Sequence, residues 1–194
     1  MPAVIPMLLL VLPAMLTALA VVREKELGSI INLYVTPVTR AEFMVGKQMP
    51  YFLLAMINFG LMSLLAVTAF GVPMTGSFLT LLAAALLFNL ASTGIGLLAS
   101  TVTRSQIAAI FLAFIATMIP ATNFSGLVYP VSSLEGGGRF IGTIFPATYM
   151  IIISRGVFAK ALGFASLHAQ FGPILLFAMA IYAASLALLK KQEN

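Results

Sequence analysis

The chain has 194 residues, 61% of them hydrophobic and 8% charged, with a mean hydropathy of +1.11; a soluble domain spends about 25% of its residues on charge, so a water-soluble globule is excluded. Ten Lys and Arg stand against 5 Glu and no Asp, a net charge of +5 that in a membrane protein reports orientation before it reports nucleic acid. With no Cys, no Asp and one His, the chain has no disulfide framework, thiol nucleophile or His/Asp metal cluster, and a Ser-His-Asp triad lacks its acid.

A hydrocarbon core of about 30 Å needs about 20 apolar residues in a helix. Five uncharged stretches meet that length, at about 1–22, 50–70, 78–102, 106–127 and 171–189. Stretch 1–22 has no basic residues ahead of its apolar run and ends in Arg23-Glu24-Lys25-Glu26, so it reads as a retained helix rather than a signal peptide. Pro2, Pro6 and Pro13 interrupt it, which neighbouring helices can tolerate. A chain that opens within a span suits a fragment, or the C-terminal part of a longer protein.

The connector 23–49 is patterned. Leu27, Ile30, Ile31 and Tyr34 recur at helical spacing, predicting a short amphipathic helix along the membrane face that ends before Pro37. Thr39-Arg40-Ala41-Glu42 then fits a capping box starting the next helix, which Gly46 and Pro50 would bend into the bilayer. Arg23, Glu24, Lys25, Glu26, Arg40, Glu42 and Lys47 concentrate seven charges here. A mixed-sign patch suits a protein partner better than anionic lipid; the alternative is a solvated surface hairpin.

Residues 71–77, with Gly71, Pro73 and Gly76, form a turn. Within the spans, Asn58, Asn89, Ser92 and Thr93 are the polar exceptions, either lining a pathway or acting as interhelical glue. The connector 128–170 carries Pro130, Gly136-Gly137-Gly138 and Pro146, then an apolar run 147–158 holding Arg155. That run is too short to span and reads as a re-entrant or interfacial helix, or as a surface helix in an ordinary loop. His168 stands without metal-ligand company.

If 23–49 is cytoplasmic, that side holds Arg23, Lys25, Arg40, Lys47, Arg104, Lys190 and Lys191 against Arg139, Arg155 and Lys160 opposite. The positive-inside bias then places the first residues outside and the C-terminal tail inside.

The runs Val22-Arg23-Glu24-Lys25-Glu26-Leu27-Gly28-Ser29-Ile30, Tyr34-Val35-Thr36-Pro37-Val38-Thr39 and Glu42-Phe43-Met44-Val45-Gly46-Lys47-Gln48 resemble the coupling-helix region of type-2 ABC exporter permeases. Phe124-Ser125-Gly126-Leu127-Val128-Tyr129-Pro130, Phe145-Pro146-Ala147-Thr148-Tyr149 and Ser154-Arg155-Gly156 resemble that family's external re-entrant part. In Val22 to Thr39 and the Lys190-Lys191-Gln192-Glu193 ending, the chain is most similar to the C-terminal membrane domain of the bacterial ribosome-associated ABC ATPase.

The resemblance implies an all-α polytopic membrane protein, one transmembrane domain over 1–194: a six-helix permease lacking its first helix, in the bacterial inner membrane. It implies an ATPase-coupling interface at Arg23, Glu24, Lys25, Glu26, Gly28, Ile31, Tyr34, Pro37, Glu42 and Lys47, and an external re-entrant segment with Gly126, Pro130, Pro146, Tyr149 and Arg155. Partners would be ABC ATP-binding domains, fused or separate, and a second copy or second permease half. Membrane lipid surrounds it, no nucleic acid is contacted directly, and a ribosome could be reached only through the ATPase part. No Gly-x-x-x-x-Gly-Lys-Ser/Thr loop occurs, so no cofactor is expected on this chain, with ATP and Mg on the partner domain. The leading expectation is therefore a non-enzymatic permease component coupling a partner's ATP hydrolysis to efflux by alternating access. The alternatives are an ion-coupled secondary transporter, against which the absence of intramembrane charge counts, and a non-transporting anchor of a ribosome-associated ATPase.

Overall fold

The computed structural model describes residues 3–27, 40–127 and 130–191. The first stretch is one helix, α1 (Val4–Glu26), followed by α2 (Arg40–Thr68), α3 (Phe78–Val102) and α4 (Gln106–Asn123). Then come a 3-10 turn at Val131–Ser133, α5 (Gly136–Ile144), α6 (Pro146–Ala159), the short α7 (Phe164–Leu167) and α8 (Phe171–Lys191). Five helices are long and apolar enough to cross a membrane, and the bent α5–α6 pair would make a sixth if read as one broken span.

Local chemistry sets most boundaries. Ser77 and Ser105 each accept a bond from a first-turn amide, Thr80 N and Ala108 N, and so cap α3 and α4. α2 begins at Arg40, where a Thr39 cap would put it, and runs continuously through Gly46 and Pro50. The expected surface helix around residues 30–34 lies outside the described residues. α4 ends at Asn123 rather than at 127, with Pro120 inside its last turn and Gly126 in a left-handed conformation, φ +80°. Gly136-Gly137-Gly138 does not break the chain; it opens α5.

α3 is the axis of the bundle and packs against α1, α2, α4, α6 and α8. Close approach needs small side chains, and α3 buries Ala84, Ala85, Ala91, Ser92, Gly94, Gly96, Ala99 and Ser100. α2, α4 and α8 instead turn large apolar residues outward, among them Leu53, Ile57, Phe111, Ile115, Leu176 and Met179. In a bilayer that exposure is solvation by lipid, not a defect.

The α5–α6 pair bends by 65° at Phe145, which is extended at ψ 128° as the residue before a proline must be. Phe145 is buried and meets Phe177 edge-on at 5.9 Å, about 9 Å along α8 at 1.5 Å per residue. From there α6 returns to the bundle end, where the 71–77 turn meets it: Gly76 N–H donates to Val157 O at 2.8 Å. α6 buries Met150, Ile153, Val157 and Phe158 against α1, α3 and α8. The apolar run 147–158 is thus a helix buried against the bundle, one arm of a bent pair whose geometry fits either a broken span or a re-entrant segment.

Candidate functional site

Two ends and one interior layer hold the residues singled out from sequence. At the end carrying the 23–49 connector, α1 continues one turn beyond its last apolar residue, so Arg23 to Glu26 are helical. Consecutive helical residues point about 100° apart, and these address different neighbours. Glu24 pairs with Lys47 of α2 at 2.5 Å. Lys25 donates its Nζ to the Ser100 carbonyl of α3 at 2.5 Å. Glu26 accepts the Gln106 backbone N–H of α4 at 2.9 Å and also its side-chain amide.

Glu24 and Glu26, expected at an ATPase-coupling interface or, in the alternative, on a solvated surface hairpin, are engaged within the chain. Arg23 and Glu42 are exposed. Gly28, Ile31, Tyr34 and Pro37 lie outside the described residues.

The interior layer joins α1, α2 and α3. Asn89, Ser92 and Thr93 are fully buried, while Asn58 is half-buried. Ser92 donates to the Leu10 carbonyl at 2.6 Å, next to the Leu9 carbonyl that Pro13 deprives of its helical donor. Thr93 donates to Asn89 O at 2.7 Å and accepts Gln48 Nε2 at 2.5 Å. Asn89 donates to the Met56 sulfur at 3.2 Å, but its Oδ1 is buried with no hydrogen-bond partner. Ser92 and Thr93 thus hydrogen-bond across helices, and of the three only Asn89 has a buried side-chain atom with no hydrogen-bond partner. Gln48 is a functional candidate that sequence reasoning missed. Its signal was available: an uncharged amide one residue past Lys47, already inside the helix.

At the opposite end, Arg155 of α6 reaches the carbonyls of Gly126 at 3.3 Å and Leu127 at 3.4 Å, tying α6 to the segment that follows α4. Pro146 opens α6 and is buried. Tyr149 donates its hydroxyl to Thr143 O, and Thr148 donates to Gly142 O at 2.7 Å, so the α5–α6 bend is bonded from both arms. Pro130 precedes the 3-10 turn, its carbonyl accepting Ser133. Thr75 and Gly76, absent from the sequence-based candidates, contact the carbonyl end of α6.

No group of three or more His, Cys, Asp or Glu that could hold a metal ion occurs among the described residues. His168 Nδ1 lies 2.7 Å from the Ala165 carbonyl oxygen. The sequence matches the ABC-2 type transporter family over residues 1–159. The chain belongs to that family.

This ABC-2 chain is 36% identical over 81% of its length to the Escherichia coli K12 protein named "Probable multidrug ABC transporter permease YbhS", covering 42% of that protein. It is 25% identical over 98% of its length to the E. coli protein named "Probable multidrug ABC transporter permease YbhR", covering 52% of it. It is also 28% identical over 93% of its length to the E. coli "Inner membrane transport permease YhhJ", covering 48%. The chain thus spans about half the length of the curated relatives it matches. The similarity to the ribosome-associated ATPase is not among these findings; the family-level resemblance is.

Proposed function

We propose that the chain is the membrane part of an ATP-driven exporter, with ABC ATP-binding domains docking on the 23–49 connector and driving alternating access. The observation that carries this reading is the family match across residues 1–159, because that one stretch takes in both the charged connector and the bent α5–α6 hairpin. ATP and Mg belong to the partner domains, since this chain has no phosphate-cradling loop. The working unit is a pair of membrane halves, two copies or one copy with a second permease half, in the bacterial inner membrane with the connector cytoplasmic. Two relatives are named as multidrug permeases, and spans rich in Leu, Ala, Phe and Met suit an amphipathic or lipophilic cargo.

The test is the full-length protein reconstituted with its ATP-binding partner in proteoliposomes. ATP-dependent efflux of an amphipathic dye is expected, with no ATP turnover by a partner-free preparation. Turnover without transport, together with ribosome co-purification, would instead make the chain an anchor. Transport driven by an ion gradient without ATP would make it a secondary transporter.

A further inference from the structure

The inner hairpin of α3 and α4 turns at 103–105, between the carbonyl end of α3 and the amide end of α4. A helix carries partial negative charge at its C-terminus and partial positive charge at its N-terminus, so these adjacent ends present opposite signs. Lys25, a cation, sits on the Ser100 carbonyl in the last turn of α3. Glu26, an anion, sits on the Gln106 N–H that begins α4. The first amides of a helix have no intrahelical acceptor; Ser105 serves Ala108, and Glu26 from another helix serves Gln106.

We propose that the last turn of α1 is a clasp on this hairpin, in which Lys25 and Glu26 are positioning residues whose order along the helix matches the order of the two helix-end charges. Glu24 adds α2 through Lys47. A displacement of the connector following Leu27 then reaches α2, α3 and α4 together, as one body, rather than travelling along α2 alone.

The match of sign to helix end makes a charge swap more informative than a deletion. K25E/E26K preserves net charge and the positive-inside count but places each charge on the wrong helix end. The experiment measures amide hydrogen exchange of the full-length protein in lipid nanodiscs, at Gln106 and, as a reference inside α4, at Ala113. A spin-label pair replacing Arg23 and Arg104, both exposed, reports the clasp distance.

In E26A, exchange at Gln106 is expected to rise by about tenfold or more, the scale of losing a charge-assisted hydrogen bond, while Ala113 keeps its rate. E26Q, which retains an acceptor oxygen, should fall between wild type and E26A. The swap should expose Gln106 at least as much as E26A and broaden the label distance distribution. Gln106 exchange within twofold of wild type in E26A overturns the proposal. So does equal acceleration at Gln106 and Ala113, which would mean general loosening of α4, and so does a swap that behaves as wild type. Should the swap fail to fold, E26A and E26Q decide alone.

Discussion

At Gly96 the backbones of α1 and α3 approach each other: an added Cβ would lie 2.3 Å from the Ala14 carbonyl oxygen and 2.9 Å from Thr17 Cβ. Backbone cannot yield as a flexible side chain can, so Gly96→Ala is expected to cost about 1–3 kcal/mol, the usual scale of overpacking. The matched control is Gly60→Ala in α2, where nothing lies within 4 Å and the change should be neutral or stabilising by up to about 1 kcal/mol. Thermal unfolding midpoints in one detergent compare the two. Asn89 gives the opposite forecast. Its Oδ1 is buried without a partner, a situation that costs about 1–3 kcal/mol, so the near-isosteric Asn89→Leu should leave the midpoint unchanged or raise it. If that acceptor serves a passing cargo, the same variant loses transport while keeping stability. Gln48→Leu, by contrast, removes the bond to Thr93 and should destabilise by about 0.6 kcal/mol, and at most about 2, the range for interhelical bonds in membranes.

Among the elements, the bent α5–α6 pair is held at three places by contacts between short segments. The α6 carbonyl end takes the Gly76 amide, Arg155 takes the α4 exit carbonyls, and the bend is closed by Thr148 and Tyr149. Gly76 has no room for a side chain, with Leu162 O at 2.7 Å and Val157 O at 2.8 Å from a built Cβ. Gly76→Ala should therefore detach the 71–77 turn from α6 and leave the five long helices in place. Accelerated hydrogen exchange at the amide of residue 76, with α3 and α8 unchanged, would register this. Acceleration spread over α3 and α8 would instead make the turn part of the main core. The depth of α6 in the bundle was legible only in part. Length, Pro146 and flanking charge predicted a helix that does not span, but the contact of Phe145 with Phe177 depends on α8 and is not encoded within the 128–170 segment.

For the molecule as a whole, the topology can be tested directly, because the chain has no Cys to confuse labelling. Cysteines introduced at Arg104, which is exposed, and at Gly137, whose added Cβ meets nothing within 4 Å, should react with an impermeant reagent from opposite faces. Arg104 is expected to be cytoplasmic and Gly137 external. Labelling from the same face would break the span count, and exchange of the two faces would reverse the orientation derived from Lys and Arg placement.

The class of protein and the positions of its spans were determined by the sequence alone, because crossing a bilayer depends on continuous apolar length, and helix ends depend on Ser caps, Gly and Pro a few residues away. α3, 78–102, agrees with the expectation at both ends. The roles of Glu24, Lys25 and Glu26 were decided only by the tertiary structure. Their charge is local information, but their partners Lys47, Ser100 and Gln106 are chosen by which neighbour stands at each azimuth of α1. That arrangement follows from small residues on α3 meeting Leu10, Ala14 and Thr17 on α1, a fit between two surfaces that hydropathy along one chain does not contain.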